Sequence, residues 1–206
     1  MTVTKIPTAG IADDAVGNTK LNLASDYAFT GTVTGTPQDM VQVASATGGG
    51  TTTQVFNGCF TSTYKFYLVI ASYNISASSV ISFRFQNSSN AEISSANYYN
   101  AGTNGRMESG GSGVSSVGSW GATSITHGKA SINTAEPGVR MFVYNPFSSE
   151  KTVCDTVFHS QDNTSNFNTP SIGTTLDTGV SVTGIRFISD TGNFNSRSEF
   201  RIYGMK

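Results

Sequence analysis

The sequence predicts an all-β fold: an antiparallel, jelly-roll-like β-sandwich preceded by an extended N-terminal arm. Threonine, serine, asparagine and glycine, at 27, 28, 16 and 22 residues, make up nearly half of the 206-residue chain. Charged residues account for only 12% of it, so the composition lacks the residues that build surface helices. From about residue 38 onward, short apolar runs alternate with glycine, serine and asparagine, which is typical of strands in a sandwich.

Residues 1–36 are predicted to be an anchoring arm, and residues 37–206 the β-sandwich domain. In the arm, small apolar residues are spaced by polar ones, and no stretch is apolar enough to fold without a partner surface. Residues 27–34 alternate with a period of two and are predicted to form a strand that ends before Pro37. Four apolar residues of the arm are the candidate anchors to such a partner surface: Ile6, Ile11, Val16 and Leu21.

The strands that follow are predicted from their apolar patterns. Residues 62–72 are the most apolar segment and are predicted to be the central strand, buried on both faces over part of its length. In residues 80–86, apolar side chains alternate with Ser, Arg and Gln, which predicts a strand with one buried face. Residues 139–147 and 151–159 flank a short Ser-Ser-Glu connection and are predicted to form a hairpin.

The last strands and one long exception complete the prediction. Residues 180–189 and 198–205 are predicted to form a closing strand pair across a turn-rich link. Residues 97–121 contain seven glycines and are predicted to be a long irregular segment between strands. Such a segment inside a compact domain is usually functional or mobile, so it is the first place to look for ligand contacts.

Charge and cysteine usage exclude several classes of protein. The net charge of −1 predicts neither a nucleic-acid-binding nor an anionic-membrane-binding surface. No apolar run approaches the roughly 20 residues that a membrane span needs, and we expect no secretion signal at the N-terminus. Cys59 and Cys154 are predicted to be buried free thiols, with a single disulfide between them as the alternative.

Sequence motifs for enzymes, metals and nucleotides are not found. His127 and His159 could recruit Asp155 or Asp162, but no spacing typical of a metal site joins them. His159, at the end of a predicted strand, is more simply explained as a hydrogen-bonding edge residue. A nucleophile elbow, a phosphate-binding loop and an identifiable pair of catalytic carboxylates are also missing from the sequence. We therefore expect no catalytic residue, no metal and no cofactor.

Arginines interrupt four of the apolar strands. Alternation places each on the face opposite its apolar neighbours. They are either solvated and stacked on aromatic rings, or paired with acidic residues of a neighbouring subunit. The four are Arg84, Arg140, Arg186 and Arg201.

Aromatic residues in the glycine-rich segment are the candidate ligand contacts. Tyr98, Tyr99 and Trp120 lie there among asparagine and serine residues, of which Asn97 is the candidate polar contact. Aromatic faces pack against the C–H faces of sugars, while amides and hydroxyls bond to sugar hydroxyls. The segment thus predicts a glycan contact, with the alternative that the same rings fill the core from a loop.

Two segments resemble a known class of protein. Residues 5–35, with IADDAVGNTKL followed by YAFTGTVT, resemble the N-terminal arms of bacteriophage tail-fibre and other virion appendage proteins. Residues 182–206, with VTGIRFIS, GNF and FRIYGMK, resemble the last strands of β-sandwich domains in marine phage structural proteins. Together the two segments cover about a quarter of the chain.

This resemblance implies a structural role in a virus particle. The family implies a virion protein, assembled in the host cytoplasm and commonly a homotrimer, with an anchored N-terminus and a distal domain that touches host-surface glycan. Its partners would be other virion proteins of the portal, tail or capsid. A capsid decoration or cement protein and a tail connector without a ligand remain alternatives, and a jelly-roll carbohydrate-active enzyme is less favoured.

Overall fold

The described part of the chain consists of two antiparallel β-sheets that pack against each other, which confirms the all-β sandwich class. The computed structural model describes residues 40–108, 111–130, 136–161 and 167–206. The predicted arm, its strand at residues 27–34 and the four anchor candidates lie outside these residues: Ile6, Ile11, Val16 and Leu21.

Twelve strands occur within the described ranges. In chain order they are β1 (Met40–Thr47), β2 (Thr53–Phe56), β3 (Phe66–Ser72), β4 (Ser79–Asn87), β5 (Tyr98–Glu108), β6 (Gly111–Ala122), β7 (Ile125–Ala130), β8 (Gly138–Tyr144), β9 (Thr152–Gln161), β10 (Phe167–Leu176), β11 (Val182–Ser189) and β12 (Glu199–Met205). The larger sheet has the strand order β1-β12-β3-β8-β9-β10-β5-β6, and the smaller has the order β2-β11-β4-β7. Residues paired across antiparallel strands share a face, so each sheet has an inner face toward the core and an outer face.

Aromatic and branched apolar side chains fill the space between the two sheets. The ring of Tyr73 is fully buried and lies within 6.4 Å of four phenylalanine rings that come from both sheets and from the link before β12. Burying one such ring stabilises the fold by roughly 1.5–3 kcal/mol, so this cluster is a large part of the hydrophobic stabilisation. The four are Phe158, Phe187, Phe194 and Phe200.

The predicted central strand is shorter than expected and is buried on one face only. Strand β3 begins at Phe66; Tyr67 and Val69 are fully buried, whereas Phe66 and Ile70 are each 42% exposed. The prediction of burial on both faces is wrong because the second sheet covers only one side of β3. The middle positions of the larger sheet belong to β8 and β9, which form the predicted hairpin.

The two last strands form as predicted, but they do not pair with each other. Strand β11 lies between β2 and β4 in the smaller sheet, while β12 lies between β1 and β3 in the larger one. The link between them crosses from one sheet to the other and buries Phe194, which forms bridges with Thr51 and Ile75. The predicted closing pair is wrong because the two strands close the sandwich from opposite sheets.

The glycine-rich segment is a strand pair rather than an irregular loop. Strands β5 and β6 are hydrogen-bonded to each other from Tyr98 opposite Ala122 to Glu108 opposite Gly111. Strand β5 also pairs with β10 along all ten residues of that strand. The prediction of irregular structure is wrong because pairing on both sides of β5 outweighs the low strand propensity of its glycines.

Both cysteines are free and buried, as predicted. Burial in apolar surroundings raises the pKa of Cys59 and of Cys154 to about 12, because the thiolate form would lose its hydration. The thiols are therefore packing groups of the core.

Three of the four strand arginines pair with carboxylates of their own chain. The Arg84 guanidinium lies 2.8 Å from Oε2 of Glu92, and Arg186 contacts Oε1 of the same carboxylate. Arg201 lies 2.9 Å from a carboxylate oxygen of Glu199, its neighbour two residues earlier on β12. For these three, the pairing lies within one subunit.

Candidate functional site

Tyr98, one of the predicted ligand contacts, is a core residue. Its ring is fully buried, and its hydroxyl donates to the carbonyl of Ile93 and accepts from the amide of Phe85, both at 2.9 Å. Burial is also the main cause that raises the pKa of the Tyr98 phenol. The prediction of a sugar-stacking role for Tyr98 is therefore corrected, because adjacent residues of a strand point to opposite faces.

Tyr99 and Trp120 form an aromatic pair on the outer face of the larger sheet. Their ring centroids are 4.6 Å apart, with an interplanar angle of 73°. Trp120 is 87% exposed, the most of any large hydrophobic residue described. The pairing of β5 with β6 is irregular between Tyr98 and Asn100, and this places Tyr99 beside Trp120. Two of the three predicted rings thus form one exposed surface.

Asn97, the predicted polar partner of these rings, organises the turn before β5. Its side-chain amide donates to the hydroxyl of Ser95 at 2.6 Å, and its backbone carbonyl accepts from the backbone amide of Asp177 at 3.0 Å. Asn97 therefore lies next to the aromatic pair along the chain, with its amide group already bonded within the turn.

Small residues form a flat floor beside the aromatic pair. Thr175 lies opposite Tyr99, and Gly173 lies between Ala101 on β5 and Asp155 on β9. Glycine and alanine leave the backbone of β10 and β5 uncovered at this position. A planar ligand can therefore approach the sheet here.

Asp155 stands at the far side of this floor. Its Oδ2 accepts a hydrogen bond of 2.9 Å from the hydroxyl of Tyr144, which raises the pKa of that phenol. Its Oδ1 lies 3.6 Å from the place that a Cβ atom on Gly173 would occupy. One carboxylate oxygen is thus held by a neighbour while the other points over the floor. From the sequence alone, Asp155 is a candidate only as an alternative metal ligand, because the register that brings it to the floor beside Tyr99 is non-local.

Of the residues considered as alternative metal ligands, Asp155 and His159 both lie on β9. In the part of the chain that the structure describes, no group of three or more His, Cys, Asp and Glu residues could hold a metal ion. His159 lies in β9 between β8 and β10, so the prediction of an edge position is wrong. The side chain of His127 and all of Asp162 lie outside the description.

A shallow hollow of about 420 Å³ occupies another part of the same outer face. It forms where Ser72 and Gly138 leave space between the larger side chains of Arg140, His159 and Arg201. Its lining includes Ile70 and Tyr203 as well as these charged side chains.

A row of large apolar side chains crosses the β1–β12–β3–β8 side of the outer face, beside the hollow that Arg140, His159 and Arg201 line. Met40, Met205, Phe66 and Tyr144 lie opposite one another in a row across these four strands. Met40 and Phe66 are 47% and 42% exposed, and the Phe66 ring packs edge-on against Tyr144 at 6.1 Å. The outer face thus has one half that carries this apolar row, here called the apolar half, followed by the small-residue floor and the aromatic pair.

A scan against protein-family models, a search of curated proteins and a search of solved structures found no match to this chain. Within the described ranges, no helix has the length and apolar character needed to cross a membrane. The function is therefore inferred from the residues of the outer face.

Proposed function

We propose that this chain is a non-enzymatic structural subunit of a bacteriophage particle, a fibre or appendage subunit that presents its β-sandwich for attachment to host-surface glycan. The observation that carries the attachment role is the Trp120 ring, 87% exposed and supported on one side by Tyr99. An indole is costly to leave in water, and a ring held by a neighbour stacks on a sugar with little loss of side-chain entropy.

The resemblance of residues 5–35 to virion arms supports the second half of the proposal. The arm would attach the chain to other virion proteins of the portal, tail or capsid, as a homotrimer. A chain that lacks residues 1–20 is expected to remain folded and to be lost from purified particles. Loss of folding in this truncated chain would contradict the division into an arm and an independent domain.

Glycan binding is tested on the full-length protein with an array of immobilised glycans. Trp120→Ala is expected to weaken binding about tenfold, because it removes the stacking surface. Val114→Ala is the matched control, since Val114 is also on β6, is 78% exposed and lies away from Tyr99. Equal binding by both variants would contradict a role for the aromatic pair.

A capsid decoration protein or a tail connector without a ligand is the second candidate function. The apolar half of the outer face favours it, because exposed rows of large apolar residues are typical of surfaces that bind other proteins. The number of copies per particle separates the two candidates: a few dozen would favour an appendage and hundreds a decoration. A connector is also expected to bind no glycan on the array.

A further inference from the structure

We infer that Asp155 is the polar half of a saccharide site whose apolar half is the Tyr99–Trp120 pair, and that its ligand is a neutral sugar with adjacent free hydroxyls. This inference rests on the proposed glycan-binding function and adds the position, the polar contact and the charge class of the ligand. The inference rests on one surface, on which a carboxylate with one free oxygen faces a pair of packed aromatic rings. A glycine lies between the carboxylate and the rings and leaves the sheet uncovered there.

The dimensions of this surface fit one or two sugar rings. Asp155 lies on β9 and Tyr99 on β5, with the single strand β10 between them. Two strand spacings of about 4.8 Å place the β9 and β5 backbones roughly 10 Å apart. A ring stacked on the aromatic pair therefore extends a hydroxyl-bearing edge toward the carboxylate.

The carboxylate is oriented for this contact before any ligand binds. Tyr144 donates to Oδ2 at 2.9 Å, so Oδ1 is the oxygen available for a ligand. An ionised carboxylate only accepts hydrogen bonds, and two adjacent sugar hydroxyls can donate to the two lone pairs of Oδ1. Because Tyr144 fixes the side chain, little rotamer entropy is lost on binding.

The charge of Asp155 selects against acidic sugars. A uronic or sialic acid would bring a second carboxylate to the same floor, and like charges at short range repel. Of the cations on or beside β8 and β9, Lys151 is paired with Asp177 at 2.9 Å, and Arg140 lies on β8, opposite Val157 and on the side of β9 away from the floor. A neutral sugar is therefore preferred over an acidic one of the same size.

Gly173 keeps the free oxygen accessible. A Cβ atom there would meet Oδ1 of Asp155 at 3.6 Å and the carbonyl oxygen of Ala101 at 3.7 Å, which are ordinary contact distances. Valine at this position is therefore compatible with the strand, and its methyl groups would cover the floor. Gly173→Val is a variant that blocks the site without removing any of its polar groups.

The test uses the full-length protein on an array that carries neutral hexose and N-acetylhexosamine disaccharides beside uronic- and sialic-acid-containing ones. The wild type is expected to bind a neutral sugar. Asp155→Asn removes a charge-assisted hydrogen bond, and Gly173→Val removes access to it. Each variant is therefore expected to weaken that binding at least tenfold. Glu199→Gln is the control: Glu199 is on the same outer face, is bonded to Arg201 and lies outside the site. Melting temperatures show whether each variant is folded.

The outcomes separate this inference from the proposed function. If Trp120→Ala weakens binding while Asp155→Asn binds like the wild type, glycan binding stands and the role of Asp155 is refuted. A preference of the wild type for acidic glycans refutes the neutral-sugar assignment in the same way. If the folded wild type binds no glycan on the array, the proposed attachment function fails together with the inference. If Gly173→Val unfolds, the glycan binding of Asp155→Asn alone decides whether the carboxylate belongs to the site.

Discussion

Replacing Tyr98 with phenylalanine isolates the role of one buried hydroxyl. The Tyr98 hydroxyl bonds to the carbonyl of Ile93 and to the amide of Phe85, both at 2.9 Å. Phenylalanine keeps the ring and its stacking against Phe85, whose centroid is 6.3 Å away. The substitution therefore removes two hydrogen bonds and leaves a buried donor and a buried acceptor without their partner.

The expected loss of stability follows from those two bonds. A buried hydrogen bond contributes about 1 kcal/mol net, and an unpaired buried group costs about 1–3 kcal/mol. Tyr98→Phe should therefore lower the free energy of unfolding by about 2–4 kcal/mol. For a domain of this size, each kcal/mol corresponds to roughly 2–4 °C, so the melting temperature should fall by about 5–15 °C.

Urea unfolding followed by fluorescence measures this loss, with Tyr99→Phe as the matched control. Tyr99 is partly exposed on the opposite face of the same strand, so its change is expected to stay within about 0.5 kcal/mol. Tyr98→Phe should also bind glycan like the wild type. Equal unfolding midpoints for the two variants would refute the assignment of Tyr98 to the core.

The remaining predictions concern the ion pairs and the thiols. Glu92→Gln should destabilise the fold by about 1–2 kcal/mol at low salt and by less at 1 M salt. The reason is that Arg84 and Arg186 lose a carboxylate that is only 23% exposed. An equal loss of stability in both conditions would contradict an electrostatic origin. Cys59 and Cys154 should not react with a thiol reagent in the native protein at pH 8, whereas both should react in guanidinium chloride. Burial raises the pKa of both thiols from 9.0 to about 12, so the stability linked to these groups is present below pH 9 and is lost as the pH rises toward 12. Rapid native reaction or unchanged alkaline stability would contradict their burial.

Strands with local signals were predictable from the sequence. The alternation in residues 80–86 identifies β4 and its buried face, because a strand packed on one side must place its apolar residues two apart. The hairpin of β8 and β9 follows from two apolar runs joined by a short polar link. Both inferences depend only on neighbouring residues.

The β5–β6 strand pair was missed because its stability is non-local. Glycine and serine in residues 97–121 favour a loop by propensity alone. The segment is extended because β10, some sixty residues later in the chain, pairs with β5 from Leu176 opposite Tyr98 to Phe167 opposite Met107. The pairing of β11 and β12 with different sheets was missed for a similar reason, although the lone Phe194 among turn residues was a sign that the link enters the core.

The candidate site could be predicted only in part, for the same physical reason. Tyr99 and Trp120 are close in sequence and were both identified, whereas Tyr98 was wrongly grouped with its neighbour. Asp155 belongs to the surface only because β10 lies between β9 and β5. A shift of one residue in the β10 register would turn every side chain of that strand to the other face, so no local pattern could reveal the arrangement.

The distribution of residues on the outer face allows attachment and assembly to occur together. The apolar row from Met40 to Phe66 lies on β1, β12 and β3, while the aromatic pair lies on β5 and β6 at the opposite edge of the same sheet. Six strand spacings of about 4.8 Å place roughly 29 Å between the backbones of β12 and β6, so a protein bound on the apolar half leaves Trp120 exposed. Met40→Asp, a change on the edge strand β1, should therefore impair incorporation into particles while leaving glycan binding unchanged, and Trp120→Ala should do the reverse. If either variant affects both properties, the two halves of the face do not act independently.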